Sequence, residues 1–535
     1  MTRSLAILLL VAAPAATTSA QPTTPAPGAM AHGFVVLAGD DTIALERVTR
    51  TGDRVRGELL VRARNVRQTY DLALDDGGIV RRLETATYRA GAPTGTLDEA
   101  LHGQQPVQHV VLVFDSTGVA ISAGPQSHHF TAPRDALPFL NLSGGDLEQI
   151  FRRARALSGD APQVPLFILQ GGGSLAAPVR WVGADSAVLT IGGVELRAHV
   201  GPDGALLGAV VPAQRVRFVR TATAPSLAVA APDYSAPPGA PYTAEEVTVV
   251  NPAGGVRLAG TLTMPRHAAG ARVPAVVLIT GSGAQDRDEG SGALPGWRPF
   301  RAIADTLGRR GIAVLRLDDR GIGGSQPGPP GATSADLAGD VRAALAYLRS
   351  RPDIDARRLA LLGHSEGGLI APMVAAGDRA LRAVVLVAAP AWTGVRISDM
   401  QVAQALDALH VGDVQRDSLL RLNTRARDSL AALQPWLRFW LAYDPLPTAR
   451  RVRQPVLIVQ GATDHQVSPE QAGELAAAIR AGGNGDVTVR LFPDVNHLLV
   501  HDPSGAVSGY GSLSSYAVAP AVLGAIADWL AARLE

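Results

Sequence analysis

The chain has 535 residues, 47% hydrophobic and 18% charged, which is enough apolar material for a buried core and more length than one domain needs. A net charge of +1 excludes the clustered basic excess of a dedicated nucleic-acid binder. There is no cysteine, which excludes disulfides and thiolate metal sites, and all 49 basic residues are arginine, which excludes lysine bases and Schiff-base chemistry.

In chain order, the first expected segment is a signal peptide over residues 1–20. Arg3 supplies the positive start, residues 5–13 the short apolar run, and Thr18-Ser19-Ala20 the small residues of a cleavage site. That run is too short to cross a bilayer, which takes about 20 residues. No later stretch is long and apolar enough either, so the expectation is an exported protein, periplasmic or secreted, with no integral membrane span once the signal is removed. Residues 21–31, rich in Pro, Thr and Ala, read as a flexible leader.

Residues 32–223 read as a β-rich domain. Tyr70, Leu72 and Leu74 alternate with polar or small residues before the turn Asp75-Asp76-Gly77-Gly78. Val194, Leu196, Ala198 and Val200 do the same before Gly201-Pro202-Asp203-Gly204. One helix is predicted at about 147–157, after Ser143. The expected architecture is an antiparallel sheet with one buried face. His128 and His129 are adjacent, so on a strand they point to opposite faces and read as surface histidines rather than metal ligands. A Pro/Ala-rich linker over 224–241 follows.

Residues 242–535 alternate strand and helix. An opening hairpin is predicted at 247–250 and 256–264, then short apolar strands at 275–280, 313–317, 359–362, 383–387, 456–460 and 487–492. Ile303, Ala304 and Leu307 share one helical face; Leu337, Val341, Leu345 and Leu348 share another. Apolar strands alternating with amphipathic helices predict a mostly parallel sheet covered on both faces. The insertion at 391–453 is too long for a simple crossover and reads as a helical cap.

The chemistry centres on Gly363-His364-Ser365-Glu366-Gly367, a Gly-x-Ser-x-Gly motif between a predicted strand and a predicted helix. A serine at such a turn is held strained with its hydroxyl exposed, and glycines two residues to either side remove clashing side chains. The hydroxyl needs a base, and the base needs an orienting acid. In this arrangement the acid and then the histidine follow on loops after later strands. Asp464 and His497 stand there, with Asp494 as the competing acid and His465 and His501 as competing bases. The backbone N–H of Glu366 is one expected oxyanion donor. The other comes from the loop Gly281-Ser282-Gly283, assigned to Ser282 with Gly283 as the alternative. Trp436, Phe439, Trp440 and Tyr443 share about one helical face. Trp436 and Trp440 are candidates to bind substrate, the competing reading being that the rings pack the cap onto the core.

Several motifs in order resemble the EstD-like bacterial carboxylesterases of the α/β-hydrolase superfamily. They are Gly281-Ser282-Gly283, Gln285-Asp286-Arg287-Asp288, the run from Asp318 to Ser325, Gly363-His364-Ser365-Glu366-Gly367-Gly368, and the late Asp464 and His497. The resemblance covers about 245–535. It implies an α/β-hydrolase fold and a cofactor-free hydrolase of small-molecule esters that forms an acyl-enzyme, with Ser365, Asp464 and His497 as triad. The run from Asp318 to Ser325 is read as a brace beneath the site. A peptidase or thioesterase on the same triad is the first alternative. The second, of another class, is an envelope ligand-binding protein with an inactive hydrolase unit.

Overall fold

A computed structural model of the chain describes residues 30–39, 41–62, 66–89, 106, 108–123, 126–169, 173–223, 225, 232–283, 285–290, 294, 296–408 and 412–535. The expected signal peptide and most of the expected leader lie outside them. The first strand, Met30–Ala38, begins inside the stretch read as leader. The chain divides into two compact units, Met1–Ala231 and Pro232–Glu535.

The first unit is built on one fifteen-stranded sheet. From Met30–Ala38 to Gln126–Thr131 and from Gln163–Ile168 to Val216–Thr221, strands next to each other in sequence pair antiparallel, and Met30–Ala38 pairs antiparallel with Val216–Thr221, which joins the two runs of the meander. Gln163–Ile168 pairs parallel with Leu137–Phe139, a departure from the purely antiparallel expectation. Tyr70, Leu72 and Leu74 all point inward. The helix Gly144–Ala156 buries Leu147, Ile150 and Phe151 in the same apolar cluster as Phe34, Leu72 and Leu189. Phe114 and Phe130, from strands near one end of the sheet, both contact Phe167 near the other, with centroids 6.2 Å apart, so the sheet curls round the helix. Ser143 caps the helix by accepting the Asp146 N–H at 3.0 Å. The Glu46 carboxylate sits at the same helix end and accepts the N–H groups of Gly144 and Gly145, while burial pushes its pKa up to about 7. His128 and His129 lie on the strand Gln126–Thr131 and are both exposed.

The second unit carries an eight-stranded sheet. Its order is Tyr242–Asn251, Val256–Pro265, Ala313–Leu317, Val273–Ile279, Ile354–His364, Ala383–Val387, Val456–Gly461, Val487–Phe492. The first two strands form the opening hairpin, which joins the sheet antiparallel; the remaining pairs are parallel. Alternation along each strand feeds two separate cores. Val277, Leu359 and Leu361 face the helices Ser334–Ser350, Glu366–Ala375 and Glu470–Ala481. Val276, Ala360 and Leu362 face Pro299–Gly308 and Pro520–Leu534. Burying each such valine or leucine side chain stabilises by roughly 1.5–3 kcal/mol. Between Ala383–Val387 and Val456–Gly461 the chain forms helices Gly394–Ala408, Asp413–Leu433, Pro435–Ala442 and Leu446–Ala449. Among the described residues no helix is long and apolar enough to cross a membrane.

Candidate active site

Ser365 sits where the strand Ile354–His364 turns into the helix Glu366–Ala375, at φ 52° and ψ −118°. A non-glycine residue at that φ is strained, and the packing around it allows no easy relaxation. A Cβ at Gly363 would lie 2.0 Å from the Gly367 carbonyl oxygen, and one at Gly367 2.0 Å from the Ile279 carbonyl oxygen. Only glycine fits at either position, and the close approach they permit holds the serine at the apex.

His497 follows the last strand and Asp464 follows the one before it. His497 Nε2 lies 3.1 Å from Ser365 Oγ, and His497 Nδ1 lies 2.8 Å from Asp464 Oδ2. Asp464 is fully buried and is fixed by the Gln460 side chain at 3.0 Å and by the N–H groups of Gln466 and Val467 at 2.9 and 2.8 Å. The histidine is thereby given one ring orientation, with one nitrogen on the acid and the other on the hydroxyl. His465 and His501, the competing bases, are exposed, and so is Asp494.

The loop that starts at Gly281 abuts Ser365, since a Cβ at Gly281 would lie 3.2 Å from Ser365 Cβ. It is pinned from below. Asp319 receives the Thr280 hydroxyl at 2.7 Å and the Gln285 N–H at 2.9 Å, and burial pushes its pKa up to about 8. Asp318, also buried, receives the Arg287 N–H and its guanidinium at 2.9–3.1 Å. The run from Asp318 to Ser325 therefore ties down the loop that carries Ser282. Among the described residues no group of three His, Asp or Glu side chains could hold a metal ion.

The family described as "Serine aminopeptidase, S33" matches residues 297–435, a segment that contains Ser365 and stops before Asp464 and His497. The esterase EstD of Thermotoga maritima is 29% identical over 250 residues, which is 45% of this chain and 58% of that protein. The chain resembles the α/β-hydrolase esterases. An uncharacterized protein of Mycobacterium tuberculosis is 36% identical over 124 residues, covering 23% of this chain and 38% of that one. The chain thus spans less than two thirds of either relative's length. The Pyrococcus furiosus esterase Pf2001 aligns at a TM-score of 0.38 and 16% identity, over 57% of this chain and 98% of that one.

In this unit the side chain of Glu366 is engaged as well. Its buried carboxylate receives the Ser334 hydroxyl at 2.6 Å and the Trp436 indole N–H at 2.8 Å, and burial raises its pKa. The residue after Ser365 therefore links the start of the helix Ser334–Ser350 to the insertion helix Pro435–Ala442. Trp436 stacks on Trp440 with centroids 6.1 Å apart, and Trp440 packs so closely on Gly394 that a Cβ there would lie 2.3 Å from its ring. Trp436 reaches the site through Glu366, whereas Trp440 lies behind it against the insertion.

Sequence reasoning passed over a second buried pair. Glu289 is fully buried at φ 59°, and His364 directly precedes Ser365. His364 Nε2 faces the His497 carbonyl oxygen at 2.9 Å. Burial depresses the His364 pKa, but the charge and hydrogen bond of Glu289 outweigh it and hold it above the ordinary histidine value. The only signal for the pair in the sequence was position: His364 inside the serine motif and Glu289 directly after Asp286-Arg287-Asp288.

Proposed function

We propose that the chain is a serine hydrolase of carboxylic esters that works through an acyl-enzyme. The observation that carries this reading is the Ser365 hydroxyl within 3.1 Å of His497 at the strand-to-helix turn. Ser365 attacks the ester carbonyl while His497 takes its proton, and His497 then protonates the departing alcohol. Asp464 holds the ring in the needed tautomer and stabilises the imidazolium. The oxyanion is met by the N–H groups of Glu366 and Ser282, each typically worth 10²–10³ in rate. Water then releases the acid by the same steps reversed. The insertion at 391–453 serves as a cap, with Trp436 as the ring that borders the substrate.

A fluorophosphonate probe tests the nucleophile. Labelling of the wild type and none of Ser365→Ala supports the reading. A folded wild type that takes no label sinks it, and leaves the chain a ligand-binding protein. The aminopeptidase description of the matching family favours one further reading, an amide substrate on the same residues. Turnover of p-nitrophenyl esters, aminoacyl p-nitroanilides and thioesters side by side separates the substrate classes. The chain is further proposed to be exported by its first 20 residues, on the Arg3 start, the apolar run and the small residues before Gln21. N-terminal sequencing of the secreted or periplasmic protein checks this, and a mature chain that still starts at Met1 refutes it.

A further inference from the structure

A cleft of about 350 Å³ opens in the second unit between the helix Pro299–Gly308 and the opening hairpin. Its size is at the lower end of the range for small-molecule sites. Arg298, Arg301, Arg309 and Arg316 line it, with Tyr234 and Tyr242 beside them. Four guanidinium groups thus border one small concavity, with Asp288 and Asp305 paired to them and Asp233 and Asp286 nearby.

Asp305 is matched by Arg309 at 2.9 Å and by the Tyr242 hydroxyl at 2.6 Å. The other three arginines share a single carboxylate, Asp288. Arg316 pairs with it directly, while Arg298 and Arg301 approach only to 3.7 and 3.8 Å. Arg301 spends its remaining donors on the carbonyl oxygens of Asp233 and Ser235. The Arg298 guanidinium makes no hydrogen bond among the described residues, and it is 42% exposed. Arg316 is 3% exposed, and its Nε has no hydrogen-bond partner. A buried guanidinium N–H without an acceptor is costly, and an arginine fork is shaped to receive two oxygens of one anion.

We propose that this cleft binds a small anion through an oxyanion group, a carboxylate or a phosphate, held by Arg298 and Arg316 with the tyrosine rings against its body. The site is separate from Ser365 and does not depend on the ester-hydrolase reading. Binding is screened by salt at the partly exposed Arg298 and less so at the buried Arg316.

Isothermal titration calorimetry of the full chain with sodium phosphate and with sodium benzoate, each against sodium chloride at equal ionic strength, tests the proposal. The expected result is saturable binding of one anion per chain, weakened about tenfold or more in Arg298→Gln, as loss of a charge-assisted pair requires. Saturation by phosphate alone assigns a phosphate ligand, and saturation by benzoate alone a carboxylate. Heats no larger than those of chloride overturn the proposal. So does binding that persists unchanged in both Arg298→Gln and Arg301→Gln. Both substitutions are at partly exposed side chains.

Discussion

Glu289 and His364 form a buried pair directly beneath Ser365, with Oε1 2.9 Å from Nδ1. The same Glu289 oxygen receives the Gly281 N–H at 2.7 Å, and the far nitrogen of His364 reaches the His497 carbonyl oxygen. Both ring nitrogens face oxygens, which suits a protonated ring with two donors. One carboxylate thus ties together the loop before Ser282, the turn at Ser365 and the backbone of His497.

Glu289→Gln removes the charge that keeps His364 protonated. Breaking a buried pair this way costs about 3–5 kcal/mol. It should also lower kcat on a p-nitrophenyl ester by about 10²-fold, through small displacements of groups that never touch substrate. ¹⁵N NMR gives the readout that mere destabilisation would not move: His364 changes from a doubly protonated to a neutral ring signal. An unchanged ring signal would rule out Glu289 as the positioning partner.

Asp464→Asn preserves the shape of the acid and presents the wrong partner to His497. The expected loss in kcat is about 10⁴-fold, with the melting temperature little changed. In the wild type, the rate should fall towards acid as His497 becomes protonated, because an imidazolium accepts no proton from Ser365. A rate that stays level well into mild acid would contradict the assignment of His497.

Asp319 titrates near 8 in the folded chain and near the ordinary Asp value when unfolded. Its pKa is raised on folding, so its contribution to stability is complete below about 4 and is lost as pH rises to about 8. Asp319→Asn mimics the neutral acid: an amide can donate to the Thr280 hydroxyl and accept from the Gln285 N–H. Urea unfolding free energies at pH 5 and pH 8 should show the wild type losing up to about 1.4 kcal/mol per pH unit relative to the variant. Parallel profiles for the two proteins would show that Asp319 is ionised throughout.

Trp436→Phe keeps a ring and deletes the N–H that Glu366 receives. Losing one such bond costs about 1 kcal/mol, or several-fold in a rate or binding constant. If Trp436 borders the substrate, the variant changes KM for aryl esters more than it changes the melting temperature. A lowered melting temperature with KM and kcat unchanged would reduce Trp436 to a packing residue.

The local patterns of this chain were sufficient for much of its architecture. Alternation at Tyr70, Leu72 and Leu74 marked a strand, the faces at Ile303 and Leu337 marked helices, and the motif around Ser365 marked the turn between sheet and helix. These features have periods of two to four residues, and each depends on its own neighbourhood. The order of strands was less legible. The pairing of Met30–Ala38 with Val216–Thr221 joins segments nearly two hundred residues apart, and nothing in either strand names the other.

The sequence by itself determined that a serine would be perched at a strained bend, because Gly363 and Gly367 surround it between a strand and a helix. It narrowed the acid and base to a few candidates near residues 464 and 497. Only the tertiary structure decided that His497, and not His465 or His501, meets Ser365 across 132 positions. It alone put Glu289 on His364 and Trp436 on Glu366. The physical reason is that hydrogen bonds between side chains act over about 3 Å in space. Proximity in the chain has no bearing on them until the sheet is assembled and brings its loops to one edge.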